Sequence, residues 1–513
     1  MICVHARHSE LEKMGASALS HLVIAQMGQI ERLELLVAKL RREHFGPKSE
    51  KAPINAEQLI LGISGCVIEA QPAAQSEQPP AAKDKPAGAQ RKSRALPAHL
   101  RREVRTHLPE HSKCPCCNGE LRKLGEDASE MLEYMPASFH VIRHVRPKMS
   151  CRTCSCVVQA PAPERVIDRG LPGPGLLAHI VTAKFCDHLP LHRQSQIFAR
   201  EGVDLDRTVL ARWVGEVASL LEPVAEVLHR YVLATDKLHG DDTPLPVLAP
   251  GTGKTKTGRF WTYVRDNRPA GDNTAPAVWF AYSPNRKGEH PQRHLAKFAG
   301  ILQADAFAGF NKLYEGGAIQ QAPCMAHIRR KFFDLLKAHN SPIAAEAVQR
   351  IAALYRIERE IKGRSAEERR SVRTARARPL LDDMRRWLEQ ARTQLAPKSE
   401  TAAAIHYALA LWNALARYLD DGRIEIDNMI AERALRPVAI GRRNYLFAGS
   451  DAGGRRAAIL YTLIGTARLN GLDPEAYLRY VLARIGEHPI KRIEELLPWN
   501  VAGKMAPALQ SAA

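Results

Sequence analysis

"KLHGDDTPLPVLA" occupies residues 237–249, and its reading decides the fold. It is the first of three strand-like runs, followed by "GRFWTYVRD" (258–266) and "PAVWFAYS" (276–283), with turn residues between them. "HPQRHLAKF" (290–298) then reads as a helix and "GILQADAF" (300–307) as a fourth strand. Three consecutive strands, a helix and another strand is the order of a ribonuclease-H-like core.

That order makes two acids interesting. Asp241 lies in the first run and Asp305 ends the fourth. A lone aspartate at a strand end is most often a cap or turn residue. In this topology, however, the first and fourth strands are neighbours, so the two carboxylates can converge. A third acid, Glu432, lies on a helix predicted from "EIDNMIAERALRP" (425–437) and expected to end near Pro437. There Asn428, Glu432 and Arg436 are four apart and share a face. Three converging carboxylates repel unless a divalent metal sits among them. Mg²⁺ (or Mn²⁺) takes oxygen ligands and leaves positions for water and phosphate, and two such ions suit in-line attack on phosphorus. Asp242 is a rival ligand to Asp241, because adjacent strand residues face opposite ways.

Asp305 and Glu432 are too far apart in sequence for a simple loop. A helical insertion over about 325–420 resolves this, within a catalytic domain of 233–448. "AHIRRKF" (326–332) begins the insertion, with His327 and Arg330 as candidates to orient the acids or contact DNA phosphates. A surface histidine is the blander reading of His327. Asn428, Arg433, Arg436, Arg442 and Arg443 are further candidates for that role, the last two from "GRRNYLFAGSDAGGRR" (441–456). One tempting motif fails: "GTGKT" (251–255) lacks the glycine of a P-loop five residues before Gly253, where Leu248 stands. It reads instead as a basic hairpin turn.

Upstream, "VIAQMGQIERLELLVAKLRREHFG" (23–46) reads as a zipper-like helix in an N-terminal region of 1–66, with Val23, Ile30, Leu33, Val37 and Leu40 along its seam. Residues 67–105 are rich in Pro and Ala and cannot bury a core, so they form a linker. In 106–160, Cys114 and Cys117 form one C-x-x-C and Cys151 and Cys154 another, the sulfur shell of a closed, structural Zn²⁺ site. Cys116 and Cys156 are spare, so the ligand set could slip. Residues 161–232 read as helical, with a break at Gly202 and a second helix opening at Asp206 or Thr208, as in a DNA-binding helix-turn-helix. A helical region, 449–513, closes the chain. The fold class is therefore multidomain α+β.

Lys and Arg outnumber Asp and Glu by 74 to 55, which favours a polyanionic partner, most simply nucleic acid. No apolar stretch approaches the roughly 18 residues that cross a bilayer, and no signal-peptide layout opens the chain. A reducing cytoplasm, with nucleoid association, is the expected location, and ten cysteines there read as ligands or buried thiols.

Together these residues resemble one family, the DDE-type transposases of the insertion sequence 66 group. The likeness runs nearly end to end: "HFGPKSEK", "CPCC…CRTC", "HGDDTP", "LQADAFAGFNKLY", "CMAHIRRKFFDL", "DNMIAERALRP", "NYLFAGSDAGG" and "HPIKRIEELLPWN". The resemblance implies an Mg²⁺-dependent enzyme that cuts element ends at terminal inverted repeats and joins them to target double-stranded DNA. It also implies a homo-oligomer in the synaptic complex and accessory proteins of the same element. The family's acidic triad carries over onto Asp241, Asp305 and Glu432. Departures are Asp242 where glutamate is usual, Met429 for asparagine, Met325 for tryptophan and Ala306 for glycine. None removes a triad carboxylate. Two other readings compete: a ribonuclease-H-like nuclease or resolvase that cuts without joining, and a zinc-bearing DNA-binding protein without chemistry.

Overall fold

The computed structural model describes residues 172–249 and 251–505, with isolated residues and short pieces before them. Most of the zipper-like segment, the linker and cysteines 114, 117, 151 and 154 lie outside the described residues. Two short strands, β1 (Lys148–Ser150) and β2 (Val157–Gln159), pair antiparallel, Met149 opposite Val158.

Three helices precede the main sheet: α1 (Pro174–Phe185), α2 (Leu191–Arg200) and α3 (Arg207–Leu233). The chain breaks after α2 at Gly202, whose φ of 83° suits a residue without Cβ. Asp206 then caps α3 by accepting the Thr208 N–H at 2.7 Å. The first turn of α3 exposes Arg207, Thr208, Ala211 and Arg212. Beyond it the helix buries Trp213, Val217, Leu221, Val224 and Leu228, so most of its length is core.

The main sheet has the order β5-β4-β3-β6-β7. β3 (Lys237–Ala249), β4 (Lys254–Arg265) and β5 (Ala277–Ser283) form an antiparallel meander. Gly251 and Gly253, both at positive φ, turn β3 into β4. β6 (Gly300–Ala304) runs parallel to β3, and β7 (Ile319–Pro323) parallel to β6. Between β5 and β6 lies α4 (Glu289–His294), shorter than the sequence pattern implies. α5 (Asn311–Glu315) joins β6 to β7. The sequence reading did not anticipate β7: "IQQAP" is brief and half polar, and its pairing with β6 makes it a strand.

Seven helices follow: α6 (Met325–His339), α7 (Pro342–Ile361), α8 (Ala366–Val372), α9 (Arg378–Thr393), α10 (Glu400–Ala410), α11 (Trp412–Leu415) and α12 (Arg417–Asp420). They enclose their own core, including Phe332, Ile351, Leu381, Met384, Ile405 and Trp412. The chain then returns to the sheet, where Gln303 of β6 receives the Glu425 N–H at 3.1 Å and donates to the Asp427 carbonyl at 3.0 Å.

α13 (Met429–Tyr445) corrects one expectation, since it continues two turns past Pro437. Proline removes one backbone donor. Burial of Leu435, Val438 and Gly441, and Arg442 reaching Thr243 Oγ1 (3.0 Å) and the Pro244 carbonyl (2.7 Å), hold the helix against β3 regardless. α14 (Asp451–Leu469) lies on β5, where Thr462 Oγ1 accepts the Phe280 N–H at 2.9 Å. α15 (Pro474–Leu482) and α16 (Pro498–Met505) complete the described chain. Among the described residues, no helix is long and apolar enough to cross a membrane.

Candidate active site

The parallel pairing of β3 with β6 matches His239 to Gln303. Two residues further along each chain come Asp241, within β3, and Asp305, just past the end of β6, so the register brings these residues alongside one another. Asp241 accepts the Asp242 N–H at 2.8 Å, and Asp305 accepts the Phe307 N–H at 3.1 Å.

Glu432 arrives in the first turn of α13, whose start is pinned from inside. Asn428 is fully buried; its amide donates to the Gly240 carbonyl at 2.8 Å and its oxygen lies 3.1 Å from His239 Nδ1. His239 Nε2 is 3.3 Å from Lys237 Nζ, which donates to the Arg423 carbonyl at 2.8 Å. The ammonium has only donors, so His239 accepts at Nε2 and donates from Nδ1 to Asn428. Burial pushes Lys237 down to about 8 and His239 well below its usual range. This buried chain ties the helix carrying Glu432 to the strand carrying Asp241. Asn428, a candidate for DNA phosphate contact, therefore cannot reach solvent and serves as an internal anchor.

All three acids are harder to ionise than free carboxyls. Burial is the first cause in each case. For Asp241 the charges of Asp305, Glu432 and Asp242 add to it, and for Glu432 those of Asp427 and Asp305. The three side chains thus sit close enough to feel one another's charge. A cation among them would offset both burial and repulsion. The donor set consists of carboxylate oxygens, so its chemistry suits Mg²⁺ or Mn²⁺.

Asp242 points elsewhere. Its buried carboxylate meets Arg259 Nη1 and Arg286 Nη2, each at 2.8 Å. Two guanidiniums occupy the rival, and Asp241 is left facing the other acids. Arg286 also reaches within 3.8 Å of Asp305 and lies 3.9 Å above the Phe307 ring.

Beside Asp305 opens a cavity of about 480 Å³, lined by Arg286, Phe307, His327, Arg330, Lys331 and Tyr407 among others. Lys331 Nζ lies 4.5 Å from the Tyr407 ring centre. The lining joins cations and aromatic faces, the pairing that binds unstacked nucleotides. His327 is partly buried rather than a surface residue, and its Nδ1 has no hydrogen-bond partner. Burial lowers its pKa against the pull of Asp305. Of the remaining candidates, Arg442 is turned into the sheet, Arg433 is exposed with Nε donating to the Met429 carbonyl at 3.2 Å, Arg443 is exposed and Arg436 half-buried.

Sequence reasoning missed Arg286, Tyr407 and Cys324. Arg286 had a faint signal in the basic turn "PNRKG" after the third strand. Tyr407 had none, because it comes from a helix folded back over the site.

Comparison with known proteins adds an independent finding. A family model described as "Transposase IS66 family" matches residues 169–456. Others match too: "zinc-finger binding domain of transposase IS66" at 111–155, "IS66 C-terminal element" at 462–499, and "Transposase C of IS166 homeodomain" at 32–105. The uncharacterized protein y4hP of Sinorhizobium fredii is 44% identical over 492 residues, 92% of this chain and 89% of the relative. Its uncharacterized counterpart y4jD, from the same organism, is 39% identical over 507 residues, 96% and 98% of the two chains.

Proposed function

This chain belongs to the IS66 transposase family, and from that premise we propose that Asp241, Asp305 and Glu432 are its catalytic triad in a ribonuclease-H-like core. The strand order β5-β4-β3-β6-β7, antiparallel on one side of β3 and parallel on the other, supports that core. The observation that carries the reading is the convergence of three partly buried, mutually repelling carboxyls from within β3, the end of β6 and the first turn of α13.

The three carboxylates would hold Mg²⁺ or Mn²⁺. When bound, the metal pair supplies Lewis-acid activation of the nucleophile and neutralises charge at the leaving oxygen. The chain's own residues orient the DNA. Arg286, Arg330 and Lys331 bind phosphates from one wall of the cavity, and Phe307 and Tyr407 offer faces to a base drawn from the stack. The Lys237–His239–Asn428 chain keeps Glu432 in register with Asp241. Water attacks first; the freed 3′ hydroxyl then attacks target DNA, exchanging one phosphodiester for another.

Cys114, Cys117, Cys151 and Cys154 hold a structural Zn²⁺ in a module that grips the element's terminal repeats. The helices at 161–232 assist, and copies of the chain pair across the two ends. The domain limits set out from sequence, 1–66, 67–105, 106–160, 161–232, 233–448 and 449–513, are proposed with it.

The test is a strand-transfer assay with labelled element ends, target DNA and Mg²⁺. Joined products are expected, and Asp305→Asn abolishes them while the DNA mobility shift persists. Cut but unjoined products would replace the reading with a nuclease. Cleavage retained by Asp305→Asn would remove Asp305 from the triad.

A further inference from the structure

Cys324, His327 and Glu432 each offer one ligand atom, and the three atoms lie within 4.8 Å of one another. Cys324 is the residue just before α6 and His327 lies in that helix's first turn, so C-x-x-H turns both toward one point. Glu432 comes from α13, and the two elements are joined where the Asn428 N–H donates to Cys324 Sγ at 3.2 Å. His327 Nδ1 has no hydrogen-bond partner, and ligation would offset the cost of leaving such an atom buried.

We propose that these three side chains form a second metal site, selective for a borderline-soft divalent ion such as Zn²⁺, whose filling withdraws Glu432 from the acidic triad. The donor set decides the ion. Thiolate, imidazole and carboxylate are the ligands Zn²⁺ takes, whereas Mg²⁺ keeps to oxygen. With metal–ligand bonds of about 2.0–2.3 Å, tetrahedral ligand atoms stand roughly 3.3–3.8 Å apart, so small side-chain rotations close the site. Three protein ligands leave the fourth position to water or a phosphate oxygen. The ion enters by the cavity beside Asp305, which His327 lines. On binding, the Cys324 S–H bond breaks, an S–metal bond forms, and the proton passes to solvent.

The consequence for catalysis rests on the role proposed for Glu432. Glu432 turned toward Cys324 and His327 is drawn away from Asp241 and Asp305, so Zn²⁺ inhibits Mg²⁺-dependent cleavage. The binding half stands without that role.

The probe is Co²⁺, titrated into full-length protein whose N-terminal module is already zinc-loaded. Near-ultraviolet thiolate-to-cobalt absorption is expected at one equivalent and lost in Cys324→Ser, which keeps an acceptor for the Asn428 N–H. An all-oxygen triad site produces no such band. His327→Ala, checked for an unchanged melting temperature, should weaken Co²⁺ binding at least tenfold. No band, or an equal band in Cys324→Ser, overturns the site. In cleavage assays, the Zn²⁺ concentration for half-inhibition should rise at least tenfold in Cys324→Ser, relative to each protein's own activity. Binding without inhibition would leave the site standing and overturn the role given to Glu432.

Discussion

Two regions of this molecule bury charge in opposite ways. In the helices from 325 to 420, Glu358 is buried between two arginines, with Arg373 at 2.6 Å and Arg369 at 3.5 Å. Arg373 also donates to the Tyr418 carbonyl at 2.7 Å, and Arg369 reaches Glu425 at 2.7 Å. The buried acid there has two cations. Within β3, Asp241 is surrounded by other acids and receives one backbone N–H. A satisfied buried pair holds structure together. An unsatisfied acidic cluster costs stability and is retained where it serves chemistry.

The sharpest break of this contrast is Asp241→Asn or Glu432→Gln. Either should cut DNA cleavage on the order of a thousandfold or more, with folding intact, read from Mg²⁺-dependent cleavage of a labelled end and a thermal melt. Glu358→Ala should do the reverse. It leaves the buried Arg373 guanidinium without a carboxylate, while Arg369 keeps Glu425, and should cost about 3–5 kcal/mol, measured by denaturant unfolding.

Asp242→Asn lies between these. It loosens Arg259 and Arg286 without removing a triad acid, so a loss of roughly tenfold to a hundredfold is expected in the same cleavage assay. An equal loss to that of Asp241→Asn would make Asp242 a ligand.

The smallest effect is on pH dependence. Burial and neighbouring acids hold Asp241 and Glu432 above their ordinary 3.8 and 4.5, so the folded chain keeps protons that the unfolded chain releases. Without metal, the contribution of these two groups to stability should therefore be greatest below those ordinary values and be lost as pH rises through the raised ones. Asp241→Asn should flatten this fall in melts taken across pH, and Mg²⁺ should raise the wild-type melting temperature more than the variant's. Protons compete with metal for the same oxygens, so activity should fail on the acid side above the ordinary carboxylate range.

Much of the sheet was legible. β3 to β6 fall on runs whose apolar content and flanking turns mark strands, and Asp206 and Gly202 behave as capping and breaking residues do. β7 was not legible, because its few residues become a strand only by pairing with β6. The end of α13 was misread, because proline's local penalty was weighed without the burial that outweighs it. At the site, Asp241, Asp305 and Glu432 could be picked out as candidates by their places in one strand, at the end of another and on a helix. Arg286 and Tyr407 could not, since each acquires its position from a partner distant in sequence.

By itself the chain's order of residues determined which segments become strand or helix and which acids stand at their ends, because those are matters of local period, turn chemistry and capping. Only the tertiary structure decided that Asp242 is spent on two arginines while Asp241 faces other acids. It also decided that Asn428 is an anchor, and that Cys324 and His327 meet Glu432. Those outcomes depend on which side chains share a desolvated space, where one unpaired charge outweighs any local preference.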